Sequence, residues 1–302
     1  MTLYAFSGAI EQGLVYGLMA LGVYITFRIL DFPDLTVDGS LPLGAAVSSV
    51  LITKGLNPYL SLAPAMVAGF LAGAITGLLT TKLKILHLLA SILTMTALYS
   101  VNIRIMGRPN TSLLGKSTVF DPLRALELPP FFISTVFFTA LLLGVVLILI
   151  WLSRTEYGQS LIATGDNPNM ITSLGVNTHF TIITGVGLSN ALVALSGALI
   201  AQNQGTADVG MGVGTIVAGL ASIVVGETIF SRRTVSLAII SVVFGSIIYR
   251  LAIALALSLK IKGFSFKPSD LNLITASLVV LALVLPRIKT AIKNKKKIRG
   301  KA

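Results

Sequence analysis

The chain has no cysteine, and this absence excludes three kinds of chemistry. Without thiols it cannot form disulfide bonds, build thiolate metal sites or use a cysteine nucleophile. Histidine is almost as scarce, because only His87 and His179 are present and they lie far apart in sequence. Lone histidines in an apolar chain are usually interfacial residues, so we predict no metal site.

Charge is also scarce, and hydrophobic residues take its place. Charged residues make up 11% of the chain and hydrophobic residues 54%, and the mean hydropathy is +0.90. A water-soluble domain of this composition would expose large apolar patches, so the composition predicts a membrane protein. Only 11 residues are acidic, yet three of them fall within LDFPDLTVDGS at 30–40.

Hydropathy predicts about nine spans of roughly 20 residues, the length that a helix needs to cross a bilayer. They lie at 4–27, 38–53, 59–80, 86–106, 131–152, 177–201, 211–230, 235–258 and 269–286. The predicted fold is an all-α integral membrane protein with about eight to ten transmembrane helices. Glycines at four-residue spacing, such as Gly69, Gly73 and Gly77, predict close packing between these helices.

The distribution of Lys and Arg predicts the domain limits and the orientation. Residues 1–286 form a single transmembrane domain in this interpretation, and 287–302 form a basic tail. Because such a tail favours the cytoplasm, we expect a cytoplasmic C-terminus and, with nine spans, an external N-terminus. The basic tail also accounts for much of the positive charge, so no nucleic-acid partner is expected.

Residues 110–117, NTSLLGKS, resemble a phosphate-binding loop without completing one. Asn110 replaces the first glycine of that motif, and no predicted strand precedes it. The sequence also lacks clustered carboxylates, Ser/His pairs and metal-ligand spacings. We therefore predict that the chain is not an enzyme and that it has no cofactor of its own.

An internal similarity relates the two halves of the chain. Shifted by 174 residues, GLVYGLMALGVYITFRILDFPD (13–34) aligns without gaps with GLSNALVALSGALIAQNQGTAD (187–208). An odd number of predicted spans separates the copies, so they would cross the membrane in opposite directions. This predicts an inverted repeat, with halves at about 4–106 and 177–286 and broken second and seventh helices, which is typical of alternating-access transporters. The alternative is chance similarity between apolar helices.

Each copy ends in an aspartate that precedes a glycine-rich segment. We expect both breaks to line the translocation pathway, because irregular backbone at membrane depth is tolerated only beside protein or water. A simpler role remains open for Asp38 and Ser40, which can cap their own helix. The predicted hinge and pathway residues are Asp34, Asp38, Gly39, Ser40, Asp208, Gly210, Gly212 and Gly214.

Arg250 is a further predicted pathway residue, because it lies inside the eighth span with apolar residues on both sides. A charge at that depth is costly unless it finds a partner. It could form an ion pair with Asp208, Glu227 or Asp34. It could instead contact the carboxylate of a substrate, or the limits of the span could be shifted.

The polar segment 154–177 follows the fifth span and is predicted to form two short helices. Gly165 would end the first helix in the left-handed conformation. In the second helix, Asn167 would be the cap, Pro168 would take the first position and Gly175 would lie at the end. A polar element of this size is more than a connector, so we expect it to dock on a cytoplasmic partner.

The same segment carries a family resemblance. TEYGQSLIATGDNPNMITSLGVN (155–177) resembles the cytoplasmic coupling loop of ABC importer permeases of the branched-chain amino acid and ribose permease superfamily. EQGLVYGLMALG (11–22) is similar to that family's first helix, and DLTVDGS (34–40) to the Asp-Leu-Ser-Val-Gly motif of its sugar members. The stretch 210–227 resembles the family's glycine-rich seventh span.

Two features depart from that family's pattern. Gly226-Glu227 stands where many relatives carry paired glycines, and the Asn-Phe-Ala-His-Gly stretch of branched-chain permeases is missing. As a whole, the chain resembles the permeases of tryptophan/tyrosine ABC uptake systems.

The resemblance implies the permease subunit of an ATP-driven, binding-protein-dependent importer for an amino acid, with aromatic amino acids favoured. It implies a homodimer in a prokaryotic plasma membrane, partner subunits that bind ATP and Mg, and an extracytoplasmic binding protein. Uptake of a sugar or nucleoside and ion-coupled secondary transport are the alternatives.

The resemblance also implies two groups of contact residues, with Tyr157 and Met170 as apolar anchors for the ATPase. The residues expected to couple to the ATPase are Glu156, Tyr157, Gly158, Gly165, Asn167, Pro168, Met170 and Gly175. The residues expected to dock the binding protein are Glu11, Arg108, Lys116, Arg124 and Asp270.

Overall fold

The computed structural model describes residues 3–124, 130–230 and 234–258, together with 260–261, 264–265, 276–277 and 280. The helices are α1 (Leu3–Tyr24), α2 (Val37–Thr53), α3 (Pro58–Thr81), α4 (His87–Met106), α5 (Asp121–Arg124), α6 (Pro130–Arg154), α7 (Glu156–Asp166), α8 (Pro168–Ser173), α9 (Thr178–Gln204), α10 (Thr215–Ile229) and α11 (Val235–Ser258). A π-helical turn, Ile25–Ile29, extends α1, and a 3₁₀ turn, Val209–Gly212, precedes α10. The short strands are β1 (Asn110–Ser112), β2 (Thr206–Asp208), β3 (Lys260–Ile261) and β4 (Phe264–Ser265).

The prediction of a multi-pass helical membrane protein is confirmed. Seven helical segments among the described residues are long and apolar enough to cross a bilayer, and α2 is a shorter apolar helix of 17 residues. These segments correspond to the first eight predicted spans. The predicted ninth span, 269–286, lies almost wholly outside the described residues, and the tail 287–302 lies entirely outside them.

Helix ends follow local sequence signals. The Asn57 side chain caps α3 by accepting the amide of Tyr59, and Pro58 takes the first helical position, where its missing N–H costs nothing. Gly107 ends α4 and Gly205 ends α9, both in the left-handed conformation that glycine adopts without strain.

Helix α9 forms the centre of the bundle, and α1, α2 and α3 pack around it. In its most apolar window 78% of the residues are buried, against 22% in α6, so α9 is interior and α6 is peripheral. A Cβ atom added at Gly69 or Gly73 of α3 would collide with the backbone oxygen of Asn190 or Val186 in α9. The predicted close packing by spaced glycines is therefore confirmed, and it joins α3 to α9.

The bundle has two ends that differ in structure. At the strand end, β1 pairs antiparallel with β2, so that Asn110 lies opposite Asp208. At the α7 end, α7 packs against the end of α1. Helix α1 runs from the strand end, where the Glu11 carboxylate accepts a 2.6 Å hydrogen bond from Asn203, to the α7 end. The β1–β2 pairing was not predicted, because neither three-residue strand has a recognisable alternation of its own.

Candidate functional site

The chain leaves the helical conformation between α1 and α2, at residues 30–36, which we call the first break. The π-helical turn Ile25–Ile29 leads into it, and π-helical turns are frequent at functional sites. Asp31 has a φ of 50°, a left-handed conformation that is uncommon for residues other than glycine. Phe32 is buried, and its ring meets the His87 ring edge-on at 4.4 Å. The first break is therefore an ordered turn inside the bundle.

Asp34 lies at the centre of the first break with its side chain buried. One carboxylate oxygen accepts the backbone N–H of Thr36 at 2.9 Å, and the other accepts the side-chain amide of Asn190 at 2.7 Å. Asn190 belongs to α9 and also donates to the carbonyl of Val186 at 3.0 Å. Within the described residues Asp34 has no cationic partner, since the one ion pair there joins Arg28 and Glu227. Neutral donors alone thus hold a buried acidic group against the central helix.

Asn190 was not predicted as a site residue. A signal for it exists in the sequence, because a carboxamide in the middle of a long apolar helix must find a partner when it is buried. The hydroxyl groups of Thr36 and Thr76 form a further hydrogen bond of 2.8 Å beside this site, which ties the first break to α3. The first break is thus fastened to both α9 and α3.

Asp38 caps a different helix from the one predicted. Its carboxylate accepts the backbone N–H groups of Gly214 at 3.0 Å and Ile216 at 2.8 Å, and the Thr215 hydroxyl at 3.0 Å. These groups begin α10, whereas α2 starts at Val37 and its N-cap residue, Thr36, makes no side-chain cap. The expectation that Asp38 caps its own helix is wrong. The carboxylate instead joins the start of α2 to the start of α10, since an anion is favourable at a helix N-terminus.

The two residues after Asp38 are buried against α4. A Cβ atom added at Gly39 would press on Met95 and Leu98 of α4, and the Gly39 carbonyl accepts the side-chain amide of Asn102 at 3.2 Å. The Ser40 hydroxyl is buried and has no hydrogen-bond partner, so it does not cap α2. Gly39 is therefore needed for close packing.

The segment between α9 and α10, residues 205–214, is the second break. Asp208 is exposed there, and its carboxylate accepts the Gly210 amide at 2.6 Å and the Asn110 side-chain amide at 3.4 Å. Gly214 has a φ of 77°, which only glycine adopts readily, and its N–H reaches Asp38. A Cβ atom at Gly212 would collide with the Asp38 carbonyl. The structure thus brings Gly212 and Gly214 to Asp38, while Asp208 and Gly210 lie at the strand end.

Arg250 lies in α11 and contacts an aromatic ring. Its guanidinium carbon is 3.5 Å from the centre of the Tyr16 ring, in a cation–π contact between α11 and α1. The alternative of an ion pair with Asp208, Glu227 or Asp34 is not realised, since the ion pair between described residues joins Arg28 and Glu227. Glu227 pairs with Arg28 at 3.0 Å, near the α7 end.

The predicted two-helix form of 154–177 is confirmed as α7 and α8. The Thr155 hydroxyl caps α7 by accepting the Gly158 amide at 3.2 Å, and the Asn167 side chain caps α8 by accepting the Met170 amide at 3.1 Å. Pro168 takes the first position of α8 as predicted. Gly175 follows α8 with a φ of 88°.

Gly165 is not a left-handed stop, and that expectation is wrong, since α7 continues through it to Asp166. It lies within α7, where a Cβ atom would collide with the carbonyl oxygen of Ile29 at the end of the π-helical turn. Gly158, about two turns earlier in α7, approaches the carbonyl of Leu152 in α6 in the same way. Glycine is therefore required here for contact, and α7 touches the backbone directly before the first break.

The two predicted apolar anchors differ in exposure. The Tyr157 hydroxyl forms a hydrogen bond with Thr184 of α9, so Tyr157 packs against the bundle. Burial raises the pKa of the Tyr157 phenol above its ordinary value, and the hydrogen bond with Thr184 offsets part of that rise. Met170 is 51% exposed and is free to meet a partner. Glu156 and the surface of α8 from Asn167 onward are exposed as well.

Among the residues expected to dock a binding protein, those whose side chains the structure describes lie at the strand end. Lys116 lines a cleft of about 980 Å³ between the loop after β1 and the end of α9. Glu11 lines a neighbouring cleft of about 430 Å³, and Asn203 borders both clefts. Arg108 is exposed nearby. The side chain of Arg124, together with Asp270, lies outside the described residues.

Comparisons with known proteins agree on one family. The family described as "Branched-chain amino acid transport system / permease component" matches residues 5–285. A protein of Clostridioides difficile named "Tyrosine transport system permease protein" is 40% identical over 285 residues, which is 94% of this chain and 92% of that protein. A Methanocaldococcus jannaschii protein, "Probable branched-chain amino acid transport permease protein LivH", is 26% identical over 201 residues and 62% of each chain.

One solved structure has a similar fold. The match to the structure titled "PsaBC from Streptococcus pneumoniae in complex with Fab" covers 93% of this chain and 91% of the chain in that structure, with a TM-score of 0.51. At 18% identity this similarity concerns the fold alone.

Proposed function

The chain belongs to the branched-chain amino acid transport system permease family. We propose that its transported substrate is an aromatic amino acid, with tyrosine favoured. It is the permease component of an ABC amino acid transporter, a transmembrane subunit without catalytic activity. The substrate proposal is supported by the relative named as a tyrosine transport permease, which aligns over nearly the full length of both chains. The missing Asn-Phe-Ala-His-Gly stretch supports it further, since branched-chain permeases usually carry it.

The family implies an ATP-binding partner on the cytoplasmic side and a substrate-binding protein on the other side. We place the ATPase contact on α7 and α8, where Met170 and Glu156 are exposed, and the ATP and Mg on that partner. The α7 end would then be cytoplasmic and the strand end external. The C-terminus would be cytoplasmic, and the permease would form a homodimer in a prokaryotic plasma membrane.

The observation that carries the coupling proposal is the contact between α7 and the π-helical turn. Because Gly165 has no side chain, the backbone of α7 rests directly on the carbonyl of Ile29. Ile29 immediately precedes the first break, whose Asp34 is held by α9 and whose next helix holds α10 through Asp38. A movement of α7 therefore has a continuous packed route to the helices that begin inside the bundle.

The two breaks support the inverted repeat. Helix α2 has 17 residues and α10 has 15, so at about 1.5 Å per residue each is somewhat shorter than the roughly 30 Å of a bilayer core. Their N-termini meet at Asp38, which accepts hydrogen bonds from the first turn of α10. Interrupted helices whose N-termini meet within the bundle are typical of an inverted repeat with a central pathway.

Transport by the reconstituted complex tests this proposal. Proteoliposomes that contain the permease, its ATPase and its binding protein are expected to accumulate tyrosine only when ATP is supplied to the ATPase. Parallel assays with tryptophan, leucine and a nucleoside identify the substrate class. Ion-driven uptake by the permease alone would contradict the ATP-driven mechanism, and selective nucleoside uptake would contradict the amino acid assignment.

A further inference from the structure

Arg250 and Tyr16 meet deep within the bundle. Arg250 is more than two turns from the end of α11, and Tyr16 is near the middle of the helical stretch that runs from Leu3 to Ile29. The guanidinium carbon lies 3.5 Å above the Tyr16 ring. Both side chains are half-buried, so the pair is neither sealed in the core nor fully open. Lipid headgroups at the membrane surface are out of reach at this depth.

The hydrogen-bonding capacity of Arg250 is largely unused. Its Nε atom is buried without a hydrogen-bond partner. Among the described residues no carboxylate lies within ion-pair distance of it, since the ion pair there joins Arg28 and Glu227. The ring of Tyr16 attracts the positive charge but accepts no in-plane N–H group. The buried Nε–H of Arg250 therefore lacks an acceptor, and an anionic group would both accept it and balance the charge at membrane depth.

The geometry of the pair fits a carboxylate. A guanidinium group presents a planar fork of N–H donors that matches a carboxylate with two parallel hydrogen bonds. The Tyr16 ring covers one face of the guanidinium and leaves its in-plane N–H groups for another acceptor. The two residues also belong to different halves of the proposed repeat, because α1 lies in the first half and α11 in the second. Substrate sites of transporters lie near the middle of the bilayer between such halves.

We propose that Arg250, positioned by Tyr16, binds the carboxylate of the transported solute at the middle of the membrane. This inference rests on the proposed function and names the chemical class of its substrate. A neutral sugar or nucleoside has no group for this site. The transported solute must therefore carry a carboxylate, as an amino acid does.

The test uses the reconstituted complex with its ATPase and binding protein. The variant R250Q is expected to take up tyrosine about 100-fold more slowly, as is common when a charged donor to a desolvated carboxylate is removed. R250K is expected to retain part of the transport because it keeps the positive charge. The rest should be lost because lysine lacks the two parallel N–H donors of the guanidinium group. Y16F should be close to wild type and Y16L should be impaired, since the ring positions the arginine. R104Q, which alters an exposed arginine in α4, serves as the matched control.

A binding measurement separates recognition from structure. Tyrosine is expected to raise the thermal stability of the detergent-solubilised permease, whereas tyramine, which lacks only the carboxylate, is not. R250Q should abolish the effect of tyrosine. The proposal is overturned if R250Q transports tyrosine as wild type does, or if tyramine stabilises the permease equally.

Two acidic residues, Glu127 and Asp270, lie outside the described residues and provide the competing structural explanation. If E127Q or D270N also abolishes the stabilisation of the solubilised permease by tyrosine, Arg250 is the partner of a structural ion pair and the proposal is wrong. If both variants keep that stabilisation, the proposal is supported. A wild-type complex without ATP-driven amino acid uptake would instead contradict the proposed function, so the two failures are distinct.

Discussion

The first break and the second break occupy equivalent positions in the aligned halves of the sequence, yet they use their acidic residues differently. Asp34 in the first break is 2% exposed and is held by Thr36 and Asn190. Asp208 in the second break is exposed and holds a turn at the strand end. The two aligned segments thus share the place of a break in the chain but not the burial of its acidic side chain.

Asp38 links the two breaks and explains part of their asymmetry. It lies just beyond the first break, but its hydrogen bonds go to the second, where Gly214 and Ile216 begin α10. The second break therefore needs no buried carboxylate of its own. The α7 contact adds to this asymmetry, since Gly165 touches the chain directly before the first break. We therefore expect substitutions to have graded effects, largest in the first break.

Replacement of Asp34 should have the largest effect. D34A leaves the buried amide of Asn190 and the N–H of Thr36 without their acceptor, and the free energy of unfolding should fall by about 3 kcal/mol. D208A removes only exposed hydrogen bonds and should lower it by less than about 1 kcal/mol. Denaturant titration in detergent micelles measures both. Equal losses for the two variants would show that the breaks are energetically equivalent.

A side chain at Gly165 should have the next largest effect. G165A forces a methyl group onto the carbonyl of Ile29, so stability should fall by about 2 kcal/mol. ATP hydrolysis by the assembled complex should also become less dependent on substrate, because α7 is displaced from the first break. G144A in α6 is the matched control, since a Cβ atom there meets nothing within 4 Å. If ATP hydrolysis by the G165A complex depended on substrate as in the wild type, α7 would not be part of the proposed coupling route.

Loss of the Asp38 carboxylate tests the link between the breaks. D38A should lower stability by about 1 kcal/mol, which is typical for the loss of a helix cap. The amides of Gly214 and Ile216 should exchange with deuterium faster, while that of Thr36 should not change. D38N keeps one acceptor and should have a smaller effect. Unchanged exchange at the start of α10 would contradict the cap.

The Arg28–Glu227 pair should have the smallest effect. The Glu227 side chain is 6% exposed but that of Arg28 is 41% exposed, so solvent screens the interaction from one side and E227Q should cost less than about 1 kcal/mol. A double-mutant cycle with R28Q measures the coupling energy between the two side chains. A coupling energy well above 1 kcal/mol would show that this pair, and not the first break, dominates the α7 end.

Much of the fold was predictable because it depends on local signals. Apolar runs predicted the eight apolar helices α1–α4, α6 and α9–α11, and the glycine spacing of α3 predicted a close helix contact, which it makes with α9. Asn167, Pro168 and Gly175 marked the limits of α8, since capping depends on neighbouring residues. These features involve residues that are adjacent in the chain or on one helix face.

The errors in the predicted site all involve contacts between distant segments. Asp38 has the signature of a local cap, but its carboxylate reaches α10, and Gly165 has the signature of a helix stop, but its missing side chain serves a contact with Ile29. Arg250 contacts the ring of Tyr16 and forms no ion pair with a described carboxylate. The local sequence indicates that such a residue makes a specific contact, whereas the packing of the helices decides which group it contacts.

The central claim is that α7 and the end of α1 move as one unit when ATP binds to the partner. Because the chain has no cysteine, spin labels attach only to introduced ones. Pulsed electron paramagnetic resonance on the assembled complex can compare labels at F27C and D166C with labels at F27C and K82C. We predict that trapping with ATP and vanadate leaves the 27–166 distance unchanged and shifts the 27–82 distance. A changed 27–166 distance with a constant 27–82 distance would contradict the account.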